Sequence, residues 1–318
     1  MSKKDLSGLH RFLAVVEAGS LNKAAEVLHI SQPALTKSIQ GLEEQLGVEL
    51  FVRGARGVSL TSYGRAVHFR GRLIEAEVAR LQDDVVALRD LSFGKVRIGA
   101  PPGPGFHTDT LPAATLRLIG AGRKLSVHIA MGTREQLLPV LRQGALDFIV
   151  AVLEDGESSS DLVQVPLFED RNAIVVRPEH PLLALPTPGV EDLANYPWFV
   201  MSESVALERT LRETAYAQGI ALTQSIVQSD SSQFVKSAVV ASDGIGMLRY
   251  QVARKDSMRV QLVELPLGPA FATSQGMGRQ RIGLIHRREA ELSAASIHFM
   301  QEIQQGCLQD ENLVLPPV

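Results

Sequence analysis

SLNKAAEVLHISQPALTKSIQGLEEQL, residues Ser20 to Leu46, is the stretch from which the rest of the chain can be read. It contains two short helical patterns separated by a break at His29-Ile30. Ser20 or Asn22 can cap the first, whose Ala24, Ala25, Val27 and Leu28 supply a small-residue apolar face. Ser31 offers an N-cap oxygen to the second, and Pro33 falls in its first turn, where a missing N–H costs nothing. Leu35, Ile39, Leu42 and Leu46 then recur at helical spacing. The opposite face carries Gln32, Thr36, Lys37 and Gln40, side chains that reach base edges or phosphates if the helix lies in a major groove. Two short helices with small residues at their crossing and a polar second helix describe a helix-turn-helix. Amphipathicity alone would fit any small helical domain, so the flanking residues must carry the decision.

Leu6, Leu9, Phe12, Leu13 and Val16 predict a first helix over about 5–18, stopped by Gly19. After Gly47, Val48, Leu50 and Val52 alternate, Gly54 and Gly57 allow a turn, and Val58 and Leu60 return, which reads as a short β-wing. Arg53 and Arg56 at its tip would be solvated charges in isolation. Beside a recognition helix they read as phosphate or minor-groove contacts. Thr61 or Ser62 can cap a long helix from Tyr63 to Asp90. Along it Val67, Gly71, Ile74, Val78, Leu81, Val85 and Leu88 follow the spacing of a coiled-coil seam, with Gly71 as its weak place.

From Leu9 to Thr61-Ser62-Tyr63-Gly64 the chain resembles the N-terminal domain of the LysR-type transcriptional regulators. Gly19-Ser20, Ala24-Ala25, Ser31-Gln32-Pro33-Ala34 and Leu46-Gly47 carry the resemblance in their order. It implies double-stranded DNA as a partner, a homodimer through residues 63–90, further assembly into a homotetramer, and contact with RNA polymerase if the protein activates. DNA-contacting positions are then Ser20, Asn22, Ser31, Gln32, Pro33, Thr36, Lys37 and Gln40, with Arg53 and Arg56 from the wing.

Composition bounds these expectations. The 318 residues suggest two or three domains, and 45% hydrophobic with 21% charged residues are globular values. Net charge is −3, so no global basic field draws the chain to DNA. Residues 1–60 hold seven basic side chains (Lys3, Lys4, Arg11, Lys23, Lys37, Arg53, Arg56) against six acidic ones (Asp5, Glu17, Glu26, Glu43, Glu44, Glu49), a net of +1. Binding must depend on local placement of cations and on pairing two copies. The single cysteine, Cys307, excludes an intrachain disulfide and fits a reducing compartment. The N-terminal MSKKDLSGLHRF has no long apolar run behind its lysines, and no segment is apolar enough to span a bilayer, so a cytoplasmic protein without membrane partners is expected.

From Lys95 strands and helices alternate, which predicts an α/β region with a parallel or mixed sheet. KVRIGA, LSVHIAM and LDFIVAV read as strands, with helices at Leu111–Leu118 and from Thr133 to Leu141. WFVMS, ALTQSIVQS and GIGML give a second set, with helices at Val205–Gln218 and Ser231–Ser242, and Glu291–Gln305 closes the chain. Two crossing strands near 162–168 and 261–267 suggest that the chain leaves a first lobe and returns. The family's effector domains, which resemble type II periplasmic binding proteins, have that topology. The expected fold is thus an all-α winged helix-turn-helix (1–61), a linker helix (62–91) and a two-lobed α/β effector domain (92–318). Its lobes span about 95–165 with 268–318, and about 166–267.

In such a domain ligands lie between lobes, near strand carboxyl ends and helix N-termini. The loops Pro101–His107, Gly132–Thr133, Met201–Ser204 and Ser229–Phe234 qualify. With the resemblance, they nominate Gly103, Gly105, Phe106, Thr133, Ser202, Ser204, Ser232 and Phe234 as small-molecule effector contacts. Taken singly, each serine or threonine reads better as a simple N-cap, and only the convergence that the resemblance supplies promotes them. The chain departs from its relatives at Gly103, where they often place a Ser or Thr ahead of the Leu111-Pro112 pair, and at Arg249-Tyr250, where they often have proline. The first departure speaks against a simple small carboxylate as effector.

No P-loop, GxSxG elbow or HExxH is present, and GAPPGPG lacks dinucleotide-fingerprint spacing. The eight histidines show no ligand-like clustering. No catalytic residue, metal or cofactor is therefore expected, and the chain does not read as an enzyme. A solute-binding protein with an unrelated helical N-terminus is the alternative, which the missing export signal and the helical module count against. A ligand-responsive, sequence-specific DNA-binding regulator is the expected function.

Overall fold

The computed structural model describes residues 3–54, 57–89, 93–101, 110–122, 124–154, 161–201, 209, 212–213, 215–217, 219, 224–254, 262–266, 279–310 and 313–314. They fall into two compact units, Met1–Leu91 with Pro139–Leu146, and Ser92–Leu138 with Asp147–Val318.

The first unit opens with α1 (Lys3–Ala18), α2 (Leu21–Val27) and α3 (Gln32–Leu46). Gly19 (φ 65°) and Gly47 (φ 68°) end α1 and α3 in the left-handed region that glycine tolerates without a Cβ penalty. Between α2 and α3 the same conformation falls on His29 (φ 52°), a strained choice for a non-glycine residue at the tight turn. Ala24 and Ala25 are buried as expected, whereas Val27 is 69% exposed and lies off the apolar face assigned to it. On α3, Leu35, Ile39 and Leu42 are buried, but Leu46, the last helical residue, has turned out to solvent. Phe12 of α1 and Phe51 pack ring to ring at 5.1 Å in the centre of this core.

Two strands, β1 (Phe51–Gly54) and β2 (Gly57–Leu60), pair antiparallel as the wing. The alternation expected from Val48 does not hold. The ladder starts only at Phe51↔Leu60, Leu50 and Phe51 are both buried, and Val52 is exposed. Then comes α4 (Ser62–Arg89), with Thr61 as its cap: the Thr61 hydroxyl accepts from Gly64 N–H at 2.9 Å. Its apolar seam divides. Val67 and Ile74 pack into the helix-turn-helix core, while Val78, Leu81 and Val85 are exposed. Gly71 is not a flaw in a coil. A Cβ there would meet Leu9 Cδ1 at 2.9 Å, so glycine lets α4 approach α1 closely.

The second unit holds two mixed five-stranded sheets. The first is built from β3 (Phe93–Ala100), β4 (Lys124–Met131), β5 (Phe148–Val152), β6 (Leu162–Asp170) and, at the other end of the chain, β12 (Gln280–Arg287), in the order β4-β3-β5-β12-β6. The second sheet takes β7 (Asn172–Val176), β8 (Trp198–Met201), β9 (Ile226–Ser229), β10 (Ile245–Arg249) and β11 (Val263–Glu264), in the order β11-β7-β10-β8-β9. Each sheet has parallel strands with antiparallel additions: β3 runs parallel to β4 and β5, and β8 parallel to β9 and β10. All-apolar runs such as FIVAV and NAIVV are buried along almost their whole length, as strands in the middle of a covered sheet are.

Helices α5 (Leu111–Gly120) and α10 (Ala294–Gln309) pack together on the first sheet. Helix α6 (Arg134–Arg142) follows β4, and a single-turn α7 (Val190–Leu193) precedes β8. Helix α8 (Ser232–Val240) covers the second sheet, and α9 (Tyr250–Arg254) continues from β10. The outgoing strand β6 stays paired with β12 through Asp170, so the changeover between sheets comes at Arg171 rather than near residue 165. Most of the helix expected at Val205–Gln218 lies outside the described residues.

Candidate nucleic-acid interface and ligand crevice

The N-terminal end of α3 is built for exposure. Ser31 accepts from Ala34 N–H at 3.4 Å, and Pro33 occupies the first turn. Gln32, Pro33, Lys37 and Gln40 are exposed and Thr36 half-buried, all opposite Leu35 and Ile39. Gln32 Nε2 donates to Thr36 Oγ1 at 2.9 Å, which presents the amide and hydroxyl as one polar unit. Lys37 has no ion-pair partner among the described residues, so its charge is available to a phosphate. Ser20 occupies the N-cap position of α2 but makes no side-chain cap bond, and Asn22 is exposed inside α2 rather than capping it. Among the described residues the serine hydroxyl has no cap bond. The Arg53 backbone lies in β1 opposite Val58, while its side chain, and Arg56 altogether, fall outside the described residues.

A contact absent from the sequence-based picture joins α3 to the wing. Glu43 Oε1 accepts from Leu50 N–H at 2.7 Å and from Phe51 N–H at 3.3 Å. From the other side, Thr61 N–H donates to Leu50 O at 3.0 Å and the Thr61 hydroxyl to Glu49 O at 2.8 Å. Glu43 and Leu50 stand in different elements, and no local pattern marks a side chain that bonds a backbone beyond the next turn.

In the second unit, Gly103, Gly105, Phe106, Ser202 and Ser204 lie outside the described residues. Thr133 stands at the N-cap of α6, past the carboxyl end of β4. Its N–H donates to Gln136 Oε1 at 2.9 Å, one half of a capping box, and its hydroxyl bonds Glu135. That hydroxyl is the first cause holding the Glu135 carboxyl below its ordinary acidity range, helped by its own backbone N–H and by Arg134. Both polar groups of Thr133 are thus engaged by the chain's own side chains, and the acid Glu135 stands in the first turn of α6. On the second sheet, Ser231 caps α8 by accepting from Phe234 N–H at 3.2 Å. Ser232 is buried, and Phe234 is 47% exposed rather than a core residue. Among the described residues no hydrogen bond joins Thr133 to Ser232 or Phe234.

What the described residues do bring together lies where the chain crosses between sheets. Asp170 Oδ1 accepts from Arg171 N–H at 2.9 Å and from Gln251 N–H at 3.3 Å. Arg171 forks onto both carboxylate oxygens of Glu264, stacks 4.3 Å over the Tyr250 ring, and accepts from Tyr250 N–H at 2.7 Å through its carbonyl. Burial pushes the Asp170 carboxyl above its ordinary range, against the opposing N–H groups and the nearby Arg249 charge. Arg249 therefore faces this cluster. Among the described residues no group of three or more His, Cys, Asp or Glu side chains is placed to hold a metal ion, and no helix is long and apolar enough to cross a membrane.

Comparison with known proteins bears on both units. A family profile described as "LysR substrate binding domain" matches residues 89–308, and one described as "Bacterial regulatory helix-turn-helix protein, lysR family" matches residues 6–65. The chain is 34% identical over 320 residues to the "SDS degradation transcriptional activation protein" of Pseudomonas sp. (strain ATCC 19151), covering 98% of each chain. Its fold is similar to that of ArgP from Mycobacterium tuberculosis (TM-score 0.67, 17% identity, 100% of both chains). It is also similar to full-length CbnR complexed with its target DNA (TM-score 0.63, 19% identity, 96% of this chain and 99% of that one).

Proposed function

The chain belongs to the LysR family of bacterial transcriptional regulators, which bind DNA and answer to small-molecule effectors, and on that premise we propose which of its residues do so. Gln32, Pro33, Thr36, Lys37 and Gln40 enter the major groove from α3, with Ser20, Asn22 and Ser31 on the flanking backbone and Arg53 and Arg56 on phosphates or the minor groove. The observation that carries this is the exposed polar face of α3, whose only lysine has no ion-pair partner among the described residues. Residues 1–61 form the DNA-binding domain, 62–91 the linker and dimerisation helix, and 92–318 the effector domain. The chain is no enzyme, works in the cytoplasm where the DNA is, and pairs into homodimers and then tetramers, meeting RNA polymerase where it activates.

In a dimer the two recognition helices would lie about 34–36 Å apart, one turn of DNA. The effector enters between the two lobes of the second unit, with Gly103, Gly105, Phe106, Ser202, Ser204, Ser232 and Phe234 as its candidate contacts. Because Glu135 and Gln136 already engage Thr133, the N-terminus of α6 is a poor cradle for an anion. The relative named for activating SDS degradation makes an alkyl sulfate the first effector to try.

The test is titration of the full-length protein onto its own upstream region with excess competitor DNA. Specific, salt-sensitive binding is expected, and Lys37→Ala should weaken it and lower the salt slope by about one. An unchanged affinity and slope would make Lys37 a solvated surface charge.

A further inference from the structure

We propose that Glu43 is a positioning residue for DNA recognition: it touches no DNA itself but sets the wing at a fixed attitude to the recognition helix. The proposal rests on the reading that Arg53 and Arg56 of the wing contact DNA. Three observations carry it.

First, Leu50 precedes the β1–β2 ladder, which begins at Phe51↔Leu60, so its buried N–H has no strand partner. A buried donor left unpaired is costly, and the Glu43 carboxylate at 2.7 Å supplies a charge-assisted partner. Second, Glu43 stands in the last turn of α3, where its own carbonyl already receives Val48 N–H at 3.2 Å. A carboxylate there opposes the helix dipole. Local preference therefore does not explain an acid at this position, whereas the wing contact does. Third, the same peptide is held from the opposite side. Leu50 O accepts from Thr61 N–H at 3.0 Å, and a Cβ on Gly64 would lie 2.1 Å from that oxygen. The recognition helix, the wing and the start of α4 thus meet at one residue. With Thr61 and Gly64 fixing the far side, the Glu43 carboxylate is, among the described residues, the side chain of α3 that bonds the wing's base.

The experiment is a DNA-affinity cycle on the full-length protein across several salt concentrations. Four proteins are compared: the natural chain, Glu43→Met, Arg53→Ala/Arg56→Ala, and the combination. Methionine keeps the helix and the side-chain length but accepts no hydrogen bond here, and circular dichroism with a thermal melt checks the fold. Glu43→Gln is the conservative variant, since its amide oxygen can still accept. Glu43→Met is expected to weaken binding and reduce the salt slope by up to about two, as if two phosphate contacts were lost. It should add nothing once Arg53 and Arg56 are gone, and Glu43→Gln should recover most of the affinity. An equal penalty in both backgrounds, or a glutamine variant as weak as the methionine one, overturns the proposal. If Arg53→Ala/Arg56→Ala alone leaves affinity and slope unchanged, the wing reading is what fails, and the proposal falls with it. Should Glu43→Met not fold, amide exchange at Leu50 and Phe51 in the natural chain decides: protection matching that of Thr61 N–H supports the contact, and exchange as fast as an unbonded amide overturns it.

Discussion

Two glycines of α4 show how far a single residue's role depends on what it faces. Replacing a mid-helix glycine by alanine normally gains about 1 kcal/mol of helix propensity. At Gly71 the new Cβ would meet the ends of Leu9 and Leu13 at 2.9 to 3.3 Å, atoms on flexible side chains that can yield. At Gly64 it would meet the Leu50 carbonyl oxygen at 2.1 Å, which is backbone already bonded by Thr61. Gly71→Ala is therefore expected to be near neutral, and Gly64→Ala to destabilise by about 1–3 kcal/mol, the usual range for overpacking. Chemical denaturation of both variants checks the order, and equal effects would mean the junction around Leu50 is softer than its geometry. Asp170 makes the complementary case for charge. Its carboxyl is raised by burial, so the native state holds the proton more tightly than the unfolded chain. Its contribution to stability is then full below the ordinary carboxylate pKa of about 3.9 and is lost as pH rises through the raised value. Asp170→Asn keeps an oxygen for Arg171 and Gln251 N–H, so it should match or exceed the natural chain's stability at pH 7.5 and lose that advantage on acidification. Denaturant curves at pH 7.5 and 5 measure it, and a constant difference between the two proteins would show that Asp170 does not titrate differently on folding.

At the scale of elements, legibility in the sequence followed how local the physics was. The helix-turn-helix was readable because Gly19, Ser31, Pro33 and Gly47 are punctuation that acts within one turn. The wing's start was not, because Glu43 reaches across from another element and moves the first ladder pair to Phe51. The long helix was half readable. Its regular apolar spacing cannot say which partner each position meets, and the structure gives Val67, Gly71 and Ile74 to α1 and the rest of the first unit's core. Among the described residues Val78, Leu81 and Val85 of that stripe are exposed, and so is the neighbouring Val86. Exposed apolar residues grouped on a charged helix mark a protein-association surface, so pairing through α4 is expected to use its second half. Leu81→Glu is expected to shift the protein toward monomer in sedimentation and to weaken DNA binding with it, whereas Ile74→Val should cost stability without changing the assembly. A Leu81→Glu protein that sediments as the natural one would move the dimer contact elsewhere.

Across the whole effector unit, the chain passes between its two sheets at Arg171 and returns after Glu264, positions far apart in sequence that no periodicity could have paired. One guanidinium joins them. Arg171 is a third exposed, so a plain ion pair with Glu264 would contribute only about 0.2–1 kcal/mol. The fork onto both oxygens and the stack on Tyr250 raise its value, the latter by about 0.5–1 kcal/mol at an exposed site. Both additions depend on a flat, forked cation, which lysine lacks. If the charge alone mattered, Arg171→Lys would behave as the natural chain. If the fork and stack hold the crossing, Arg171→Lys should lose most of what Arg171→Ala loses, about 1–2 kcal/mol in all, and Glu264→Ala should cost little more in the lysine background. The loss should also be local. Amide exchange should speed up at Tyr250 and Gln251, whose N–H groups bond Arg171 O and Asp170, before it does along β5, buried in the middle of the first sheet. Faster exchange spread evenly over both sheets would instead mean that Arg171 supports the general stability of the unit and not the passage between its halves.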